Sequence, residues 1–386
     1  MKAETPQSSV DTGKLTPRME MEAANNFIKE KRYADALEIY DAILKRNPEA
    51  VGAYLGKGRV FFSRGDFDEA ENYLNGALHL KHDFAPAKSM LARISERRGN
   101  FQLALEQNEE VLKYRPNLNS PRIAMARAHI KLKRYSDAEQ ILHEALRYNP
   151  QSTQALLMLA QVLQRQGEAD KAIETLNNLL DMDSSLWRAH LHQARLYFKK
   201  EDYPSAIAAA QKSVKLAMDE PIVHQFLGRA YCEAGQYEEG ILAFKAALAI
   251  KPNLFAVRMQ LARAYEQTEK YAEAVKSLQD LTLGNTRLGL VHLRLGSLLA
   301  KQEKFGQAVT EYEAALLHNR ELIEKYPELA KIRFKGGSSR DLVSAYKEAF
   351  ERIRLSEQAE MEKEDEMQID AADIDADDTE HDNDLA

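Results

Sequence analysis

The sequence contains a single cysteine, Cys232, among its 386 residues. One cysteine excludes a disulfide framework and every structural zinc site built from several thiolates. No uninterrupted apolar run approaches the roughly 18 residues that a membrane helix needs. The first sixteen residues are polar, unlike a secretory signal. We therefore expect a cytoplasmic chain with no membrane insertion.

Motifs of catalysis are also missing. The sequence has no phosphate-binding glycine loop, no GxSxG elbow and no HExxH metal motif. Cys232 lacks the context of a catalytic nucleophile, so we interpret it as an inert helical thiol. We predict that the chain is not an enzyme and binds no cofactor.

Charge is unevenly distributed along the chain. The formal net charge is −7, but residues 360–386 hold thirteen acidic residues against one Lys363, a net of −12 that leaves +5 elsewhere. This acidic stretch has too few apolar residues to offset the entropy cost of ordering it. We predict a disordered acidic tail over residues 359–386 and a disordered N-terminal segment over residues 1–16.

A repeat of 34 residues dominates the sequence. Small residues recur at this interval in one series, formed by Ala24, Gly58, Ala92, Ala126, Ala160, Ala194, Gly228, Ala262 and Gly296. A second series is formed by Ala36, Ala70, Ala104, Ala138, Ala172, Ala206, Gly240, Ala274 and Ala308, and the residue three places before each member is aromatic in eight of nine repeats. Nine repeats begin at residues 17, 51, 85, 119, 153, 187, 221, 255 and 289 and cover residues 17–322.

Each repeat has the pattern of two helices. In the fifth repeat, Leu156, Leu159, Ala160 and Leu163 follow the i, i+3, i+4, i+7 spacing of an apolar helical face. A turn is expected near Gly167, and prolines such as Pro48 and Pro116 end their repeats. The two small positions predict a close approach of the paired helices.

This pattern resembles the tetratricopeptide repeat, whose signature has small residues at these positions and an aromatic on the second helix. The family's early tryptophan is absent and is replaced by Tyr54, Leu156, His190, His224 or His292. The resemblance implies an all-α fold: a right-handed α-solenoid superhelix of stacked antiparallel helix pairs, with a concave groove lined mainly by first helices. Such arrays typically bind peptides or partner proteins.

Helical patterning continues after the ninth repeat. We predict C-terminal capping helices over residues 323–358 that cover the open end of the array. A self-association or partner-docking helix is the alternative.

The ninth position of the repeat is the candidate binding site. It holds arginine in six repeats, with Asn25 in the first repeat; the arginines are Arg59, Arg93, Arg127, Arg195, Arg229 and Arg263. On a helical wheel this position lies roughly 150° from the core direction, so we expect these side chains outside the core. Guanidinium groups suit carboxylates. Either they bind an acidic ligand in the groove, or they pair with acidic residues of a neighbouring helix.

The sequence argues against two other kinds of site, a histidine metal site and a chaperone clamp. His190, His224 and His292 share the fourth position, where the family packs a large side chain, so we predict packing and not a metal site. The two-carboxylate clamp for chaperone C-termini requires residues that are here Met21, Asn25, Gly56, Pro86 and Met90, and only Asn25 matches. A chaperone clamp is therefore not expected.

These observations predict a non-catalytic protein-interaction scaffold or adaptor that binds a peptide, or an acidic segment of a partner, in its groove. The chain's own acidic tail is a second potential ligand of that groove, and a purely solubilising tail is the alternative. A self-assembling scaffold and a nucleic-acid-associated protein are competing functions. The nucleic-acid function is disfavoured, because no cluster of Lys and Arg stands out.

Overall fold

The structure is a computed structural model that describes residues 16–279, 281, 288–318, 341, 343 and 344. Every regular element in this part of the chain is an α-helix. The predicted all-α fold of paired helices is thus confirmed. Most of the predicted N-terminal segment, capping helices and acidic tail lies outside the described residues.

The chain divides into two compact units between Glu168 and Ala169, and each is described by itself. The helices of unit 1 are α1 (Pro17–Lys29), α2 (Tyr33–Arg46), α3 (Val51–Arg64), α4 (Phe67–Leu80), α5 (Ala85–Arg97), α6 (Phe101–Tyr114), α7 (Asn119–Lys131), α8 (Tyr135–Tyr148) and α9 (Thr153–Gln166). The helices of unit 2 are α10 (Ala169–Met182), α11 (Trp187–Lys199), α12 (Tyr203–Leu216), α13 (Pro221–Glu233), α14 (Tyr237–Ile250), α15 (Phe255–Gln267), α16 (Tyr271–Gln279), α17 (Leu288–Lys301) and α18 (Phe305–His318). Within each unit, sequential helices pack against one another.

Small residues let the two helices of a pair approach closely. In unit 1 a Cβ added to Gly58 would lie 2.8 Å from the Leu74 side chain. In unit 2 a Cβ added to Gly228 would lie 3.1 Å from the Gly240 carbonyl oxygen. Large side chains such as Leu74 and Phe244 then fill the space beside these positions and are almost fully buried. The close approach predicted from the two small series is present in both pairs.

The turn inside each pair uses a residue in the left-handed region. Gly65, Gly99 and Gly167 occupy this place in unit 1 with positive φ, whereas Lys133 adopts φ 58° there without being glycine. Its amide donates to the Ile130 carbonyl at 2.9 Å, and the next amide, of Arg134, donates to the His129 carbonyl at 2.9 Å. These bonds close the end of α7 and hold Lys133 in a conformation that costs a side-chain-bearing residue about 1 kcal/mol.

Replacing Lys133 with glycine is therefore expected to stabilise the protein by about 0.5–1 kcal/mol, because the relief of backbone strain exceeds the added freedom of the unfolded chain. Urea unfolding followed by circular dichroism measures this change. Glu106→Gly in α6 is the control, since glycine at an exposed helical position costs about 1 kcal/mol. A Lys133→Gly variant as unstable as the control would show that this turn stores no strain.

No helix in the described ranges is long and apolar enough to cross a membrane.

Candidate functional site

The first helices of neighbouring repeats pack side by side in unit 1, where α3 contacts α5 and α5 contacts α7. Arg59, Arg93 and Arg127 occupy the same place on these three helices. In unit 2, Arg195, Arg229 and Arg263 occupy the equivalent place on α11, α13 and α15. The fold thus repeats the ninth-position arginine from one first helix to the next within each unit.

Several of these arginines reach sideways to the preceding first helix. The Arg93 guanidinium lies 5.0 Å from the ring centroid of Phe62, and Arg127 Nη1 lies 3.5 Å from Glu96 Oε1. In unit 2 the Arg229 guanidinium lies 4.8 Å from the centroid of Phe198. Phe62, Glu96 and Phe198 all occupy the twelfth position of the preceding repeat. The arginine therefore forms part of the contact between adjacent first helices.

Burial at this position differs from the expectation of the helical wheel. Arg127 is only 9% exposed, and Gln161 at the same position of α9 is 5% exposed. A wheel describes one helix alone, whereas here the neighbouring first helix covers the side chain. Arg59, Arg93, Arg195 and Arg229 are half-buried, and Arg263 is exposed.

Arg127 and Glu96 form a pair that stability measurements can test. Their side chains are 11% and 13% exposed, respectively. Arg127→Met is expected to lower the free energy of unfolding by about 1–3 kcal/mol, because it removes a cation beside a largely buried carboxylate. In a double-mutant cycle with Glu96→Gln, urea unfolding should give a coupling energy above about 0.5 kcal/mol. Strictly additive losses would show that the two side chains do not stabilise each other.

Asn25 participates in the chain's own packing. Its Oδ1 accepts a hydrogen bond of 3.0 Å from the Tyr40 hydroxyl, and burial raises the pKa of Tyr40 to about 12. The ring of Tyr40 also fills the space beside Gly56, where an added Cβ would lie 2.3 Å from it. Residue 56, one of the two positions where the chaperone clamp has asparagine, therefore has no room for a side chain larger than that of glycine.

The fourth position holds basic residues that the sequence analysis did not single out. Lys88 of α5 is 6% exposed; it donates to the Glu110 carboxylate and lies 4.7 Å from the centroid of the Tyr114 ring. The bond from Lys88 lowers the pKa of Glu110. Glu110 and Tyr114 stand 22 and 26 residues after Lys88.

The next repeat has the same three-residue arrangement. The Arg122 guanidinium lies 4.1 Å from the Tyr148 centroid, and its Nε lies 4.0 Å from Glu144. The recurrence of Lys or Arg, Glu and Tyr at these spacings was the signal that could have revealed both clusters.

Two of the three histidines at the fourth position contact the preceding turn. His190 Nε2 lies 3.1 Å from the Ser184 carbonyl oxygen, and His224 Nε2 lies 2.9 Å from that of Met218. His292 Nδ1 lies 2.6 Å from the Glu311 carboxylate. Over the described residues, no cluster of three His, Cys, Asp or Glu side chains is arranged to hold a metal ion.

The Cys232 thiol is poorly suited to nucleophilic chemistry. It packs where a Cβ on Gly240 would lie 2.5 Å from its sulfur, and burial raises its pKa to about 12. A thiol with this pKa carries almost no thiolate at neutral pH.

A cleft of about 400 Å³ is lined by residues of α4, α5 and α6. Its walls carry His79, Leu78 and Leu91, with Lys88 and Glu110 among the polar lining groups. The Lys88–Glu110 pair therefore belongs both to the lining of this cleft and to the cluster around Tyr114.

Paired helices of this length, with two small residues at their crossing, define a helix-pair repeat protein. Family models of the tetratricopeptide repeat match residues 27–94, 133–195 and 231–287, and also residues 191–255. The chain belongs to the tetratricopeptide repeat family.

Similar proteins agree with this assignment. A tetratricopeptide repeat protein from Parabacteroides merdae has the same fold, with a TM-score of 0.50 at 20% identity over 64% of this chain and 98% of that one. Hsp70-Hsp90 organizing protein 3 of Arabidopsis thaliana is 29% identical over 97 residues, which are 25% of this chain and 17% of the relative. The match therefore spans about a sixth of that relative's length. Repeats of this family typically act as protein-interaction scaffolds.

Proposed function

We propose that the chain is a non-catalytic cytoplasmic adaptor that holds an extended acidic segment of a partner protein. The binding surface of unit 1 is the outward side of α3, α5, α7 and α9, here called the first-helix face. One observation carries this proposal: these four helices contain ten basic residues and a single acidic one, Glu96. The basic residues are Lys57, Arg59, Arg64, Lys88, Arg93, Arg97, Arg122, Arg127, Lys131 and Arg165. Lys57, Lys88 and Arg122 are buried beside carboxylates of the second helices, and the other seven belong to the first-helix face.

The basic side chains on this face have two roles. The ninth-position arginines Arg93 and Arg127 are partly or largely buried and contact Phe62 and Glu96 of the preceding repeats, respectively. One helical turn further on, Arg97, Lys131 and Arg165 are exposed. Residues four apart lie on the same side of a helix, so the charged groups of Arg97, Lys131 and Arg165 lie on the same side as the ninth-position residues and nearer the solvent. We infer that the lower row supplies the floor of the surface and the exposed row contacts the ligand carboxylates.

The ligand differs from the chaperone C-termini that the clamp binds. The plant relative is named for Hsp70 and Hsp90, but the clamp positions here are Met21, Gly56, Pro86 and Met90. A ligand of this face is recognised by charge along several repeats, without the clamp. Arg195, Arg229 and Arg263 offer a comparable row in unit 2.

The test uses a fluorescein-labelled peptide of alternating glutamate and serine, measured by fluorescence anisotropy with the full chain. Arg97→Glu, Lys131→Glu and Arg165→Glu together should abolish most of the binding. The control reverses three exposed lysines on second helices of unit 2, Lys212, Lys215 and Lys245, and changes the net charge equally. Equal losses in the two variants would contradict a specific surface.

A further inference from the structure

The second helices of unit 1 end at one edge, beside the starts of the following first helices. Large apolar side chains are exposed there in three successive repeats: Leu80 is 40%, Tyr114 49% and Tyr148 50% exposed. A basic residue adjoins each of them, namely Lys81, Lys113 and Arg147. We call these six residues the tyrosine edge.

A buried cation packs against each of the two tyrosine rings and fixes its position. Lys88 lies against the Tyr114 ring and Arg122 against the Tyr148 ring, and both cations are 6% exposed. A side chain fixed in this way loses little conformational freedom when a ligand packs on it. The edge is therefore a preorganised surface.

Glu110 and Glu144 offset the charges of Lys88 and Arg122 beneath the rings, so the attraction for an anionic ligand comes from the exposed cations of the edge and from the helix starts beside it. Helices α5 and α7 begin there without an acidic residue in the first turn and without a side-chain cap. Their first-turn amides add positive potential to that of Lys81, Lys113 and Arg147.

The tyrosine edge and the first-helix face offer different chemistry. Within the described residues, α3, α5, α7 and α9 expose no large apolar side chain. The first-helix face therefore suits a ligand that is acidic and polar. The tyrosine edge combines cations with exposed apolar groups and suits a ligand in which acidic and apolar residues alternate.

The chain itself contains such a segment. Residues 360–386 carry a net charge of −12, and Met367, Ile369 and Ile374 stand among the acidic residues. We propose that this acidic C-terminal segment docks on the tyrosine edge, with its apolar side chains on Leu80 and the two tyrosine rings. The first-helix face is then left to the acidic ligands of partner proteins, so the inference goes beyond the proposed function.

The test uses the full chain with the acidic residues of 360–386 changed to Asn or Gln, so that its own segment does not compete. A fluorescein-labelled peptide of native residues 360–386 is titrated and followed by anisotropy. Lys113→Glu with Arg147→Glu should weaken binding at least about tenfold. The matched charge control, Lys212→Glu with Lys245→Glu on second helices of unit 2, should change it less than about threefold. Arg97→Glu with Lys131→Glu on the first-helix face should weaken binding less than the tyrosine-edge variant does.

A second pair of variants isolates the apolar contacts at constant charge. Tyr114→Ser with Tyr148→Ser should weaken binding about fivefold or more, and so should Met367→Ser with Ile369→Ser and Ile374→Ser in the peptide. Thermal unfolding of each protein variant verifies that it is folded. Absence of peptide binding, equal loss at both surfaces, or no effect of the serine variants would each overturn the proposal.

Discussion

Replacing Tyr40 with alanine is expected to destabilise the protein by about 3–5 kcal/mol. Tyr40 is fully buried, and its ring occupies the space between α2 and α3 that Gly56 leaves open. The substitution also removes the hydroxyl that donates to Asn25. Both losses act at the start of the array, so urea unfolding should report a large decrease in the midpoint. Tyr148→Ala, at a half-exposed site, should cost about 1 kcal/mol or less.

A size exchange shows whether the close helix approach is the cause. Gly56→Val should itself be strongly destabilising, because its side chain would overlap the Tyr40 ring. In the Tyr40→Ala background the same valine should cost much less, because the ring that it would overlap is gone. If Gly56→Val is equally harmful in both backgrounds, the ring of Tyr40 is not what restricts residue 56.

The three-residue reversal on the first-helix face is expected to weaken the acidic probe about 30- to 100-fold at low salt. Arg97, Lys131 and Arg165 are exposed, and glutamates in their places would repel the ligand carboxylates as well as remove the attraction. Because exposed charges are screened over about 10 Å at 0.1 M salt, the difference between wild type and variant should shrink steeply as salt increases.

A difference that is insensitive to salt would show that the substitutions act through folding and not through charge. Because the proposal attributes the loss of binding to charge, the circular dichroism spectrum of the variant should match that of the wild type. Asn25→Ala is a further control and should not weaken binding of the acidic probe. Asn25 is bonded to Tyr40, and the proposal assigns the ligand carboxylates to the basic residues.

The period and the paired helices could be predicted from the sequence because the small residues are dictated locally. Gly58 and Gly228 each lie where a side chain of any size meets the partner helix, so their spacing marks the crossing in every repeat. The turn after each first helix was visible only where glycine occupies it, as at Gly167. Lys133 adopts the same backbone conformation without a residue type that signals it.

The surroundings of the arginines could not be predicted in the same way. The wheel of α7 places Arg127 away from the core of its own pair, yet α5 covers it with Glu96. This contact depends on the packing of adjacent repeats. The fourth-position clusters were not predicted, for another reason. In the family this position holds tryptophan, which draws attention to packing and not to the recurring distance from Lys88 to Tyr114 and from Arg122 to Tyr148.

The central claim is that acidic ligands bind along the first helices of unit 1. Carbodiimide coupling tests it directly, because it joins a ligand carboxylate to a lysine in contact with it and mass spectrometry identifies the lysine. With the glutamate–serine probe and the full chain, coupling is predicted at Lys131 of α7, which is exposed on the first-helix face. Coupling confined to Lys45, Lys81 and Lys113, at the ends of the second helices, would contradict the claim.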